Sequence, residues 1–486
     1  MGEPVARVVL ILLAIVVAAL AVGSMLDDTA TADEAAHIAA GLLKLQEGRL
    51  DFYATQAPLI ESLIAVPLTM AGHRAPRVEG NRPWVAGHTL LYRSGHDPAR
   101  VLLLARLPVV ALFLCLCFAV FFFVRRVTGN SVAGLGAFAL TGFCPTLLAH
   151  GRLATVDMGV TLFAFLAVAF VRAKGVSTAA ALASKVSGIL VVPFLFFRAR
   201  WRTIVIAVAS FMLVYLLLGR TFDPTYPFRM YWSEINAVRG FYAERHILPQ
   251  FLLGEFSRDG WPHYYLVALA VKTPLPVLAL FALALGPAIR KRRLEVLLCA
   301  AFAALFLLLS SFSSLNLGIR HILPIYPFVY AAIAIALFDA NVWMRRTAAI
   351  LIALHALVGI AAYPSYLSYF NPFVPMREAD RVLIDSNLDW GQDLGRLEQW
   401  AREQNIPLLH VHYFGGGNVE HEFGNRAVRW SVAKRVPLPK GSWFALSRHF
   451  YRLSFTTAVD YDTYLKASNA RYVTTIGGSI DVYRVP

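Results

Sequence analysis

The strongest constraint on this chain is a series of apolar runs, each close to the length of a bilayer crossing. They lie near 5–26, 102–124, 131–149, 158–171, 203–219, 264–289, 294–312, 322–340 and 347–362. A hydrocarbon core takes about 20 apolar residues per helix, and inside it every backbone polar group must find a partner within the protein. The runs therefore predict a bundle of transmembrane helices. Composition agrees: 58% of the residues are hydrophobic and 15% charged, against roughly 45–50% apolar in soluble domains. A soluble chain this long would split into polar-coated domains. Cytosolic metabolism is excluded, and the apolar composition argues against an intrinsically disordered chain.

The net charge of +15 would point to nucleic acid in a soluble protein, but here it must first be set against the positive-inside rule. With the N-terminus inside, the turns on the cytoplasmic side carry Arg125-Arg126, Arg172 and Lys174, then Arg198, Arg200 and Arg202, Arg290-Lys291-Arg292-Arg293, and Arg345-Arg346. That regularity holds only if segment 175–197 enters and leaves on the same side, as a hairpin with its tip near Lys185-Val186-Ser187-Gly188. A single crossing would place the next three basic clusters outside. The reading gives eleven crossings and an outer C-terminus. Because 23 residues are few for two full crossings, the limbs are expected to be short, tilted and covered by protein or a wet cavity.

Three polar regions then face outward: a first loop at 27–100, a second at 220–262, and a tail from 363. Long loops translocate largely regardless of charge, so the seven basic residues of the first loop do not break the rule. Arg7, the long apolar stretch after it and Ala19-Leu20-Ala21 also fit a cleaved signal peptide. We read the stretch as an uncleaved first span, and the next loop lies outside in both cases. The expected domains are 1–362, membrane-embedded, and 363–486. Alternation such as Arg471-Tyr472-Val473-Thr474 and Ile480-Asp481-Val482-Tyr483 predicts that the second is a small mixed α/β domain. Cys115, Cys117, Cys144 and Cys299 all fall in apolar runs without a CxxC pair, which indicates neither a disulfide framework nor a zinc site.

Chemistry is sought in charges that the topology does not ask for. Asp33, Glu34 and His37 open the first loop, at spacings that share one helical face. Thr31-x-x-Glu34 also fits a capping box, so capping, a catalytic carboxylate and a metal ligand all remain open. Asp157 is a second acid at the same membrane face and reads equally as a helix start. Lys185 is the only charge between Lys174 and Arg198, and ionisable groups at membrane depth are costly and usually functional unless they snorkel. Arg320 and His321 put basic groups on the outer side, where an anion would explain them as well as interfacial anchoring does. In the second loop Arg239, Arg245 and His246 are weaker candidates for the same anion. A transporter would bury charge near the midplane and show repeated halves, and neither feature is visible. Two carboxylates and several cations at an interface suit an enzyme that holds a leaving phosphate and deprotonates an acceptor.

Asp33-Glu34, Gln56-Ala57-Pro58-Leu59, Ala154-Thr155-Val156-Asp157-Met158, Ala183-Ser184-Lys185-Val186-Ser187-Gly188, Gly318-Ile319-Arg320-His321-Ile322-Leu323-Pro324 and Asp385-Ser386-Asn387-Leu388-Asp389-Trp390-Gly391-Gln392-Asp393-Leu394 follow one another along the chain. In that order they resemble bacterial members of glycosyltransferase family 39, which includes protein O-mannosyltransferases and lipid A aminoarabinose transferases. Ala57 stands where the family usually has proline, and the stretch between Lys174 and Ser184 is a few residues short.

The resemblance implies an all-α, polytopic GT-C fold in the inner (plasma) membrane, with a cytoplasmic N-terminus and an extracytoplasmic C-terminal mixed α/β domain. It further implies inverting transfer of a sugar from a polyprenyl-phosphate donor to a protein, lipid A or other envelope glycan. By position, Asp33 would be the general base, Glu34 would support it, and Asp157 would orient the acceptor or the first loop. Lys185 and Arg320, with His321 as a weaker candidate, would neutralise the donor phosphate. No cofactor follows from the sequence, and a divalent metal is left open. The Asp-Trp-Gly-Gln-Asp stretch lies in the outer domain and suits folding or acceptor recognition rather than catalysis, with Trp390 and Trp400 either stacking on sugars or filling a core. Gly415-Gly416-Gly417 lacks the setting of a nucleotide loop and reads as a turn. The competing classes are a flippase or transporter for a lipid-linked substrate and a non-catalytic assembly protein.

Overall fold

The protein, seen in a computed structural model, is described over residues 2–197, 200–245, 250–431, 438–456 and 460–486. Arg198, His246 and the side chain of Arg245 lie outside the described residues.

Among the described residues, five helices are apolar and long enough to cross a membrane alone: Glu3–Met25, Pro98–Thr128, Trp201–Leu218, Leu294–Ser311 and Val342–Ala361. The chain is a multi-pass membrane protein. The run expected as one span over 264–289 is broken into Tyr264–Lys272 and Leu275–Lys291, which meet at 110°. Pro274 supplies the reason, since it has no N–H to donate and pushes Thr273 out of helical conformation, to ψ 128°. Pro145 likewise divides the run 131–149 into Ser131–Gly142 and Pro145–His150. Several passes are thus made of shorter pieces, and the helix lengths alone do not fix the number of crossings.

The expected hairpin is present. Helix Lys174–Ser184 runs up to Lys185, where the backbone turns extended, and the chain returns through a 3₁₀ stretch, Val186–Val191, and helix Val192–Phe196. Its limbs press together so closely that a Cβ on Gly188 would lie 2.1 Å from the Ala181 carbonyl oxygen. At the open end Lys174 Nζ donates to the carbonyls of Phe194 (2.9 Å) and Phe197 (2.8 Å). An 11-residue limb is about 16 Å long, roughly half a hydrocarbon core, so the tip carries Lys185 only part of a membrane's thickness from the base.

The tail divides in two. Tyr366, Leu367, Phe370, Leu383, Leu388 and Trp390 belong to the same core as the membrane helices, so the stretch up to Trp390 packs on the helical body. A separate core begins at Leu394, beneath a five-stranded sheet of β1 (Leu409–His412), β2 (Ala427–Arg429), β3 (Trp443–Ser447), β4 (Arg471–Ile476) and β5 (Ile480–Arg484). The spatial order is β2-β1-β3-β5-β4. β1 pairs in parallel with β2 and β3, whereas β5 pairs antiparallel with β3 and β4. The mixed domain read from alternation is there, and the two alternating segments are its antiparallel pair.

Candidate active site

The first loop leaves the Glu3–Met25 helix and begins a new one, Glu34–Glu47. Its N-terminus is closed by Glu34, whose Oε2 accepts from Thr31 N (3.0 Å) and Thr31 Oγ1 (3.1 Å). Arg106 holds the same carboxylate through Nε (2.8 Å) and Nη2 (2.7 Å), and Ala154 N donates to it at 2.8 Å. Burial alone would raise the Glu34 carboxyl, but Arg106 and the N–H groups of Thr31 and Ala154 more than offset this and hold it below its ordinary range. Glu34 is ionised, fully buried and saturated. It has no acceptor capacity left for a substrate.

Because Glu34 does the capping, Asp33 is released from it. Asp33 sits at the N-cap position without a capping bond, and its Oδ2 accepts from Arg320 Nη2 at 3.0 Å. The other arm of the guanidinium, Nη1, lies 3.6 Å from Asp157 Oδ2. Asp157 opens helix Asp157–Ala169 and receives Lys185 Nζ on Oδ1 at 2.5 Å. The hairpin tip, the first loop, a helix start and the turn Ile319–Ile322 thus converge on one network. Asp33, Asp157, Lys185 and Arg320, each singled out in sequence by a charge in an unexpected place, are joined in it.

The network has capacity left. Asp33 keeps 21% and Lys185 17% of its side chain exposed, against 1% for Asp157. Arg320 Nε, Asp157 Oδ2 and His321 Nε2 are buried atoms with no hydrogen-bond partner among the described residues, and buried polar atoms are normally satisfied. Burial disfavours charge on Arg320, but Asp33, Asp157 and Asp385 more than offset it and raise the guanidinium above its ordinary value. His321 behaves oppositely. Burial, reinforced by Lys185 and Arg320, pushes it well below the ordinary histidine range. That direction favours the neutral imidazole, which has one N–H to donate.

Behind Asp33, on the next turn of the same helix, His37 Nδ1 lies 2.8 Å from Glu61 Oε1, and Lys44 Nζ donates to Glu61 Oε2 (2.5 Å) and to the Gln56 carbonyl (2.6 Å). His37 is therefore bound to Glu61 rather than to Asp33. Tyr53 covers this group, with its ring 5.4 Å from His37 and from Trp84. Among the described residues no group of three or more His, Cys, Asp or Glu is placed to hold a metal ion. Arg239 is exposed on helix Tyr226–Arg245, and no contact among the described residues joins it to the network.

The tail closes the site from the other side. The Trp390 ring lies 4.3 Å from the Arg320 guanidinium carbon, and Trp390 O accepts from Ala32 N at 2.9 Å. Trp400 instead packs edge-on against Trp443 at 6.0 Å within the sheet domain. The triple glycine is a turn pressed on the first loop: Gly416 N donates to Ala30 O at 3.0 Å, and a Cβ there would meet Thr31 O at 2.4 Å.

Sequence reasoning did not select Arg106, Lys44, Glu61, Asp28 or Arg152. Asp28 is paired with Arg152 and, at 2.6 Å, with Arg396, which itself holds Asp393 at 2.5 Å. A usable signal existed for Glu61 and Arg106: Glu61 is the only charge of its helix, and Arg106 is the only charge between Arg100 and Arg125 in a long apolar one.

No family model and no curated protein matches the chain. Two solved structures do: crystal structures of ArnT from Cupriavidus metallidurans in the apo state and bound to undecaprenyl phosphate. The first is 13% identical over 97% of this chain and 97% of that one, and the second 14% identical over 99% and 98%. The TM-score is 0.48 in both.

Proposed function

We propose that the protein is a membrane glycosyltransferase that moves a sugar from a polyprenyl-phosphate carrier to an acceptor at the extracytoplasmic face, with inversion at the anomeric carbon. The observation that carries this reading is the shared guanidinium: Arg320 lies between the two carboxylates, Asp33 at 3.0 Å and Asp157 at 3.6 Å, while Lys185 adds a second cation. A base and two cations within one network are the groups that the transfer needs.

In the step, an acceptor oxygen attacks the anomeric carbon as the bond from that carbon to the phosphate oxygen breaks. The bonding electrons leave with the phosphate, and the acceptor's proton passes to Asp33 Oδ. Lys185 Nζ and the unpaired Nε–H of Arg320 take up the charge that grows on the leaving polyprenyl phosphate. Fixed cations in a poorly hydrated site do this without reorganising at the moment of reaction. Asp157 keeps both cations aimed, and His321 contributes a neutral N–H. Glu34 positions Asp33 by holding the helix end beneath it.

The test is transfer by the purified protein in detergent with a panel of polyprenyl-phosphate sugars and acceptor-containing membrane extract, read as release of free polyprenyl phosphate. Wild type is expected to release it, and Asp33→Asn to be slower by about 10²–10⁴-fold, the range of general-base contributions. Near-wild-type release by the variant would remove Asp33 from the base role. No release with any donor would overturn the transferase reading.

A further inference from the structure

The cation that joins the two carboxylates is itself held by a segment that belongs to neither loop. Asp33 and Arg320 are 287 residues apart, and the stretch 385–393 touches the backbone beside both. On the Arg320 side, Asn387 Oδ1 accepts from Ile319 N at 2.9 Å and Ser386 Oγ donates to Leu317 O at 2.9 Å. On the Asp33 side, Trp390 O accepts from Ala32 N at 2.9 Å, Gln392 O accepts from Thr29 N at 3.0 Å, and Gly391 O accepts from Thr29 Oγ1 at 2.9 Å. The segment is itself pinned to the membrane body, since Lys272 Nζ donates to Asn387 O at 2.6 Å.

We infer that this segment is a working part of the site and that Trp390 is a positioning residue for Arg320. The indole lies 4.3 Å from the guanidinium carbon, is 1% exposed, and has His150 packed against it at 6.2 Å. A guanidinium resting on an aromatic face gains cation–π energy and keeps its planar fork in one orientation. Here that orientation presents Nη2 to Asp33 and Nη1 to Asp157, and leaves Nε for the ligand. A lysine would carry the charge but not the fork. A tryptophan buried beneath Arg320 has no face left to stack on a sugar.

This inference rests on the transferase reading, so its test has a readout that survives the failure of that reading. Full-length wild type, Trp390→Phe, Trp390→Leu, Arg320→Lys and the double variant Trp390→Leu/Arg320→Lys are compared for transfer and, separately, for binding of polyprenyl phosphate alone. Trp390→Leu is expected to lose about tenfold in kcat and in phosphate affinity, a loss of the size a desolvated cation–π contact gives. Trp390→Phe, which keeps an aromatic face, should recover most of it. In the Arg320→Lys background the leucine substitution should add little, because the fork it aligned is gone. Losses that multiply in the double variant, or a phenylalanine variant no better than leucine at equal folded yield, would overturn the positioning role and make Trp390 a packing residue. A wild type that binds the phosphate but transfers nothing defeats the transferase reading, while the coupling in binding still decides the role of Trp390. A wild type that does not bind it defeats both.

Discussion

Asp33 and Glu34 are neighbours in sequence and opposites in structure. Glu34 lies in a sealed region, with Arg106 bidentate on it and Thr31 and Ala154 filling the remaining acceptor positions. Asp28, Arg152, Arg396 and Asp393 continue that pattern toward the sheet domain. Asp33 lies in an open region, where one carboxylate oxygen has a partner, the side chain keeps contact with solvent, and three nearby polar atoms have no hydrogen-bond partner among the described residues. The sealed network spends its charges on holding loops together, and removing one partner would strand another in a dry interior. The open network keeps charges available for something that is not part of the chain.

The comparison is broken most forcefully on the sealed side. Arg106→Met leaves Glu34 buried and uncompensated, which costs about 3–5 kcal/mol for a pair of this kind. The expected result is a large fall in the unfolding temperature in detergent and a poor folded yield, whereas Asp33→Asn, in the open region, leaves the unfolding temperature nearly unchanged. If Arg106→Met kept full thermal stability while transfer was lost, the sealed network would belong to the chemistry and the division drawn here would fail.

A smaller effect sharpens the open side. Lys185→Met removes one cation and leaves Asp157 with Arg320 at 3.6 Å as its remaining charge partner. A hydrogen bond to a charged group contributes about 1.5–3 kcal/mol, so half-saturation by the donor should rise on the order of tenfold or more, with a partial recovery in Lys185→Arg. Unchanged dependence on donor concentration in Lys185→Met would show that the ammonium serves only to neutralise Asp157.

How much of this could be read from sequence follows from the same physics. Apolar runs of bilayer length are hard to mistake, and the basic turns fix which segments must reverse, so the hairpin at Lys185 was legible from charge alone. The break at Pro274 was written in the sequence too, but the hydrophobic run continues through it and masks the local chemistry. Asp33, Asp157, Lys185 and Arg320 each stand out because an isolated charge beside a membrane needs a reason. Their meeting is invisible, because it depends on the first loop, a hairpin, a 3₁₀ turn and a tail segment that come from four separate parts of the chain. Trp390 was the least legible. In sequence a tryptophan under an arginine looks like any buried aromatic, and only the 4.3 Å stack separates them.

The smallest expected effect tests how tightly the sheet domain is joined to the site. Asp389 precedes Trp390 and is fully buried. It accepts from Ser447 Oγ, His449 N at 3.1 Å and Gly391 N at 3.2 Å. Burial, with Asp393 adding to it, pushes its carboxyl up to about 7, although those three hydrogen bonds pull the other way. A carboxyl raised in the folded state binds its proton more tightly there than in the unfolded chain. Its contribution to stability is fully present below the unfolded value near 3.9 and is lost as pH rises through about 7. Between pH 5 and pH 8 the unfolding temperature of wild type, taken relative to Asp389→Asn, should therefore fall by a few degrees as pH rises. The comparison with asparagine removes the opposing contributions of the partly buried His412 and the buried His449, which burial lowers to about 4 and about 3 and which are common to both proteins. A difference that stays flat across this range would mean that Asp389 is already ionised and that the tail segment joins the sheet domain through a charge. A difference that falls would identify a neutral, hydrogen-bonded carboxyl at the joint, one residue from the indole that supports Arg320.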